Sequence, residues 1–370
     1  MDELLTAPVH VSDPGEIAAG LPALVGFVPQ ESVVLLGLGG ASGNRLGMTA
    51  RVDLPAAAEE LPLARVLVDR LAATAPTGAL IAVFSDDGDR PEGVPELPVG
   101  LSPEDRVEDA APGSGLPHRG IVHAIDWELA ERGIELRESM LVRAGRWWSY
   151  ALAEPGVGRP LPAVSAVAAA AVVGGVVVAP DRAAVGVRIA RIEGMAAHAM
   201  KQTTWRLVDR RVGDRDRDPV GEARRNWQAL LLALERCRSG SRRPLSNREA
   251  AEVLWALVDV RVRDRAMGFA LEDDAAAAEV LWTECTRRAP RPLDAAPATL
   301  LAVSAWVRGD GAMANIALER ALRSRPTYAL AQLLTQLLEH GAPPSVIREM
   351  ITDTRDDLTD DEWAQESAAG

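Results

Sequence analysis

Apolar and polar positions follow two rhythms along this chain. Ser32 to Leu38 (SVVLLGL) is a short, β-branched apolar run of the kind a buried strand makes. Leu46 to Leu54 (LGMTARVDL) is a second extended run. The glycine-rich stretch Gly39 to Gly43 separates the two, so a hairpin is predicted. Glu59 to Leu71 is helical, with Leu63, Val66, Leu67 and Leu71 on one face and Pro62 in its first turn. Ala79 to Phe84 (ALIAVF) is a third strand. Ile121 to Arg132 is a helix stopped by Gly133. Ile134 to Val142 and Arg146 to Ala151 are strands joined across Ala144-Gly145. Ser85 to Gly115 is rich in Asp, Glu, Pro and Gly and has no periodicity. Surface loops of that length are usually functional or disordered. The order β-β-α-β-α-β-β predicts a mixed sheet with helices packed on it.

From about Ala163 the helical rhythm takes over. Ala163 to Val173 reads as a buried alanine-rich helix ended by Gly174-Gly175, followed by an extended piece, Val176 to Val178. Ala183 to Arg211 is mostly helical, and Gly213 to Asp218 (GDRDRD) reads as a charged break closed by Pro219. Trp227, Leu230, Leu231 and Leu234 form one stripe. Ser246 and Glu249 have capping-box spacing ahead of Ala250, Val253, Leu254, Leu257 and Val258. Ala266, Asp274, Ala276, Ala278, Arg287 and Pro290 recur 36 positions later as Ala302, Asp310, Ala312, Ala314, Arg323 and Pro326. Ala302, Ala314, Ala321 and Pro326 have the small-residue and proline spacing of a tetratricopeptide repeat, without its aromatic positions. The expected fold class is therefore α+β or α/β: an N-terminal mixed-sheet domain followed by an all-α, tetratricopeptide-like domain. The expected boundaries are 1–160, a helical connector 161–240, helical hairpins 241–352 and an acidic tail 353–370.

Composition sharpens this picture in three places. With 40 Lys and Arg against 53 Asp and Glu, the net charge of −13 argues against a sequence-independent grip on nucleic acid. Only a local patch such as Arg236 to Arg243 could contribute to one. All the basic residues except Lys201 are arginine, which reads as the coding bias of a GC-rich genome. Cys237 and Cys285 form no motif, so both are expected to be reduced in a cytoplasmic protein. Met1 to Gly15 has neither a basic start nor an apolar core, so no signal peptide is expected. Leu161 to Ala179 carries no charge, but its glycines, its proline and its lack of aromatic ends fit a soluble element better than a membrane span.

The search for chemistry yields few candidates. His10, His118, His123, His198 and His340 include no pair at metal-binding spacing, and no thiol pair, HExxH or GxSxG occurs. Neither a metal nor a cofactor is expected. Gly37 to Gly47 is glycine-dense but is followed by a strand and lacks the Lys-Ser/Thr of a phosphate loop, so it reads as a turn. Three polar clusters remain. Arg51 and Asp53 share a face of the second strand. Asp86 and Asp87, with Ser85, lie just past the third strand, at the carboxyl end where open sheets bind ligands. Arg146, Trp147 and Trp148 crowd a short strand. One Trp is expected in the core, and the other would be a binding anchor if exposed.

The stretches LPALVGFVPQESVVLLGL (Leu21 to Leu38), MTARVDLP (Met48 to Pro55), GRWWSY (Gly145 to Tyr150) and RGDGAMANIALERAL (Arg308 to Leu322) make the chain resemble the actinobacterial family of domain of unknown function 4192. The resemblance spans roughly Val11 to Pro344 and implies no established activity. Relatives often carry cysteines after the WWSY segment. Here Ala151 to Gly158 reads ALAEPGVG, so no metal or redox role of such cysteines is implied.

Two functional expectations follow. The first is a cytoplasmic, non-catalytic protein-interaction or regulatory module with a protein partner, away from membranes and nucleic acid. The alternative is a small-molecule or nucleotide-binding enzyme or sensor, with its site at the strand ends near Arg51, Asp53, Asp86 and Asp87 and covered by the Ser85 to Gly115 loop.

Overall fold

The computed structural model describes residues 13–40, 43, 45–86, 115–152, 157–173, 177–238, 244–271 and 273–356. The chain divides into two compact units, Met1–Arg182 with Glu339–Gly341, and Ala183–Leu338 with Ala342–Gly370.

The first unit is built on a six-stranded mixed sheet. Its strands are β1 (Ser32–Gly39), β2 (Arg45–Asp53), β3 (Gly78–Phe84), β4 (Glu135–Arg143), β5 (Arg146–Ser149) and β6 (Arg159–Pro160), in the order β2-β1-β3-β4-β5-β6. Only β3 and β4 run parallel. Helix α1 (Pro14–Val25) precedes the sheet, α2 (Glu60–Ala72) links β2 to β3, and α3 (Arg119–Glu131) lies between β3 and β4. Successive side chains of β1 and β3 point to opposite faces. Val33, Leu35, Ile81 and Val83 pack with Leu67 and Leu71 of α2 and Ile121 and Ile125 of α3. Val34, Leu36, Leu80 and Ala82 pack with Ala18 and Leu21 of α1. Burial on both faces explains why these strands read as continuous apolar runs rather than as alternation.

Two elements of this unit have no clear signal in the sequence. In α1, Asp13 caps the first turn by accepting from the N–H of Gly15, and Gly26 ends the helix at φ 88°. Strand β6 is only two residues long. The turn at Ala144-Gly145 has φ of 47° and 73°, the two positive values a tight hairpin of right-twisted strands demands. The alanine-rich helix α4 spans Ala166–Val173 and packs on α1, where Gly20 leaves room for Val167. The expectation that it is buried is overturned, because Val167 is its one buried residue and Val172 and Val173 are exposed. Small alanine side chains let one edge dock closely without covering the rest.

The second unit is helical: α5 (Arg182–Val187), α6 (Gly194–Arg217), α7 (Pro219–Cys237), α8 (Asn247–Ala256), α9 (Val260–Ala266), α10 (Ala275–Arg288), α11 (Ala295–Val307), α12 (Gly311–Ser324), α13 (Ala329–Glu339) and α14 (Pro344–Asp356). The expected break at Gly213 to Asp218 is overturned, since α6 continues to Arg217. Alternating Asp and Arg are compatible with a helix and pair across a turn, as Arg217 does with Asp214 at 3.6 Å. The break comes at Asp218, whose carboxylate accepts from the Gly221 N–H to cap α7 ahead of Pro219. The capping box of Ser246 and Glu249 is present. The acidic stretch from Asp353 begins inside α14, so its first residues are helical rather than tail; residues 357–370 lie outside the described set.

All thirteen residues of α11 are buried. It pairs with α12 as a hairpin, and Ala302, Ala314 and Ala321 are fully buried, as close approach of two helices requires. The preceding unit differs in form, because its first helix is the seven-residue α9 followed by a 3₁₀ turn, Met267–Leu271. Trp227, Phe269 and Trp282 stack in series, with centroids 5.3 and 6.5 Å apart. Among the described residues no helix is long and apolar enough to cross a membrane.

Candidate functional site

Sheet topology brings distant segments to the carboxyl end of β3. Since β1 is antiparallel to both neighbours, its first residue, Ser32, pairs with Phe84 of β3 on one side and Asp53 of β2 on the other. Glu31, Asp53 and Ser85 therefore lie along one edge of the sheet. Helix α3 also begins there, with His118 as its cap residue.

The side chains converge on Ser85. Its hydroxyl donates to Glu31 Oε2 at 2.8 Å, and Glu31 Oε1 accepts from the Asp86 N–H at 2.8 Å. His118 Nε2 lies 3.0 Å from Ser85 Oγ. A serine hydroxyl has one proton, and a carboxylate competes for it better than a neutral imidazole does. With that proton on the Glu31 side, Oγ accepts from His118, which assigns the proton of the ring to Nε2. Ser85 itself is buried, His118 is half-buried, and Glu31 and Asp86 are exposed.

Glu31 and His118 stand on unusual backbone. Glu31 has φ 39° and His118 has φ 62°, left-handed values that non-glycine residues rarely adopt. His118 is also a poor helix cap. A cap residue normally has extended backbone and bonds its side chain to the first turn. His118 makes no such bond and directs its ring to Ser85 instead.

Neighbouring groups fix this arrangement. Gly120 in the first turn of α3 makes room for the Glu60 carboxylate, which would lie 2.2 Å from an added Cβ. A carboxylate is favourable there because the helix dipole is positive at that end. Arg119 is buried and donates to the carbonyl oxygens of Tyr150 and Leu152. Tyr150 Oη in turn donates to Pro117 O at 2.7 Å, which ties β5 to the residue before His118.

The chain belongs to the family described as Domain of unknown function (DUF4192). That family's model matches residues 14–345. No curated protein and no solved structure matches the chain. The stretches that carry the resemblance bear on this edge. Leu21 to Leu38 and Met48 to Pro55 meet beside Glu31, where Arg51 Nη2 donates to Gln30 O at 3.3 Å and the Leu54 N–H donates to Glu31 O at 2.9 Å. Gly145 to Tyr150 reaches it through Tyr150.

The site residues expected from sequence divide into two groups. Arg51, Asp53 and Asp86 come to the same edge. Arg51 pairs with Asp53 at 2.6 Å and lies over the Phe27 ring, so its charge is already matched; Asp86 contributes its backbone N–H. Asp87 lies outside the described residues. Arg146, Trp147 and Trp148 serve the scaffold. Trp147 is 2% exposed and packs against Gly15 of α1, and Trp148 is half-buried against Gly158 with Arg143 over its ring. Trp147 is thus the Trp expected in the core, and Trp148 is half-buried. Arg146 Nε donates to Gly158 O at 2.8 Å.

Glu31 and His118 are the residues that sequence reasoning missed. They lie 54 and 33 positions from Ser85, and no periodicity links them. The available signal was position: each stands immediately before an element that begins at the carboxyl edge. Among the described residues no group of three His, Cys, Asp or Glu could hold a metal ion.

Proposed function

We propose that this protein handles a small molecule at the carboxyl edge of β3, with Ser85 held between Glu31 and His118 as the polar centre of the site. The observation that carries the reading is the shared backbone strain. Two non-glycine residues at positive φ both deliver their side chains to one hydroxyl. Such conformations cost about 1–3 kcal/mol each and cluster at ligand clamps and active sites. A purely structural tie would be better served by an unstrained cap.

Thermal melting of the full chain against a panel of small metabolites and nucleotides tests this. A ligand at 100 times its Kd adds about 2.7 kcal/mol, and Ser85→Ala should abolish the shift. A panel that never moves the melting temperature of the wild type speaks against the reading.

A second reading concerns the helical unit, which we propose docks a protein partner on exposed apolar side chains of α7 and α9. It is favoured by apolar side chains left in solvent, Leu232 at 68% and Val260 at 56% exposure. Co-purification of a partner that Leu232→Glu removes would support it, and an unchanged partner would sink it. The arginine bias and the two buried, unpaired thiols further suit the cytoplasm of an actinobacterium.

A further inference from the structure

We propose that Ser85 is an acyl-accepting nucleophile for small neutral carboxylic esters, with Glu31 as its base and His118 as a positioning residue. This rests on the small-molecule reading of the same edge. The motivating geometry is a hydroxyl already hydrogen-bonded, 2.8 Å from a carboxylate oxygen, with an imidazole nitrogen 3.0 Å away on the same oxygen. Nucleophile and base within hydrogen-bond reach, with a third group orienting them, is the arrangement an activated serine requires. Its location also fits, since Ser85 directly follows β3 at the end of the strand where open sheets present reacting groups.

The step balances without a cofactor. As Oγ attacks the ester carbonyl, the Oγ proton passes to Glu31 Oε2, and the bond from the acyl carbon to the leaving alkoxide breaks. Glu31 then gives that proton to the alkoxide, leaving an acyl-serine and a free alcohol. Water reverses the sequence: its proton goes to Glu31, its oxygen bonds to the acyl carbon, and Oγ takes the proton back as the ester bond to Ser85 breaks. His118 keeps its Nε2 proton throughout and holds the Oγ lone pair by donating to it.

The charge around the site selects the substrate. Among the described residues Glu31 and Asp86 are exposed, Asp53 is 83% exposed, the Arg51 guanidinium is paired with Asp53, and that of Arg119 is spent on the carbonyl oxygens of Tyr150 and Leu152. An anionic acyl group would be repelled there, whereas a neutral ester is not.

The test uses the full chain and p-nitrophenyl acetate. Peptide mass spectrometry after a brief exposure should find one acetyl group on Ser85, absent in Ser85→Ala. Glu31→Gln should slow acetylation about 100-fold. His118→Ala should also lose rate. His118→Gln should recover it, because its amide nitrogen takes the place of Nε2 and can donate to Oγ. A merely structural role for His118 would give matched losses of stability and rate in both variants.

Ser85→Cys supplies an independent readout, since iodoacetamide should alkylate the introduced thiol. The background is silent: Cys237 and Cys285 are buried, burial pushes the Cys237 thiol up to about 11, and it raises Cys285 as well. An alkylated thiol in that variant with no acetyl on wild-type Ser85 overturns the nucleophile. It would leave the small-molecule reading to stand on the melting panel. Failure to alkylate the introduced thiol overturns the inference by showing the position closed to reagents.

Discussion

The chain gathers polar groups in two places, and the contrast between them is instructive. In the helical unit, Glu222 is fully buried between α6, α7 and α8. Arg211 and Arg225 each lie 2.8 Å from its carboxylate, and Trp255 Nε1 donates to it at 2.7 Å. At the edge of the sheet, Ser85 is likewise met by a carboxylate and a nitrogen. Both are convergent clusters, but their settings differ. Glu222 stands on regular helix, and its partners neutralise it within the interior. Glu31 and His118 stand on left-handed backbone at the end of a strand, with Glu31 open to solvent. Convergence alone therefore does not mark a site. Left-handed carriers and an exposed carboxylate distinguish the Ser85 cluster from the Glu222 clamp.

The comparison breaks most readily at Glu222. Replacing it with Ala removes the carboxylate that holds Arg211 and the Trp255 N–H, and should cost about 3–5 kcal/mol in urea unfolding. If Glu222→Ala melts like wild type, the clamp is not structural. Ala302→Leu overfills the α11–α12 contact and should cost about 1–3 kcal/mol, read the same way. Ser246→Ala removes one half of the α8 capping box, and about 1 kcal/mol should go with it.

A smaller effect depends on pH. Hydrogen bonds from Arg238 hold the Asp274 carboxyl below the ordinary range, and bonds from Ser246 do the same for Glu249. A depressed folded value means stability is present above the unfolded carboxylate range, near about 4, and is lost as the pH falls through the lower folded values. Stability of the wild type measured across acid pH should fall in that window, and Asp274→Asn should make the fall shallower. An unchanged profile would show that the Arg238 contact contributes nothing.

The smallest expected change in stability is also the one that sharpens the contrast most. His118→Gly trades a hydrogen bond for relief of left-handed strain, so stability should stay within about 1 kcal/mol of wild type. The same variant should lose the response to small molecules. A large loss of stability would make His118 a structural residue like Glu222.

Sequence reading located most of the first unit. Apolar runs marked β1, β3 and β4, and the stripe of Leu63, Val66, Leu67 and Leu71 marked α2, although Val66 is exposed and Ala64 and Val68 take the buried face beside Leu67 and Leu71. It missed α1, because Gly15, Gly20 and Pro22 carry little helical rhythm. The helix is instead held by close approach of those glycines to Trp147 and Val167. It broke α6 too early, because alternating charge looks like a loop until its ion pairs are placed on one helix. The place of Asp86 just past β3 was legible, but the carboxylate and imidazole that meet Ser85 were not.

What the residue order determined by itself was local. Burial of both faces of a central strand demands an unbroken apolar run, glycine or proline ends a helix, and Ser and Glu three apart cap one. These are effects within a turn or two of chain, so they can be read from neighbours. The meeting of Glu31, Ser85 and His118 depends on β1 lying antiparallel to β3 and on α3 starting beside them. Hydrogen bonds act over a few ångströms of space and are blind to separation along the chain, so only the pairing of the strands could decide that Ser85 lies between a carboxylate and an imidazole.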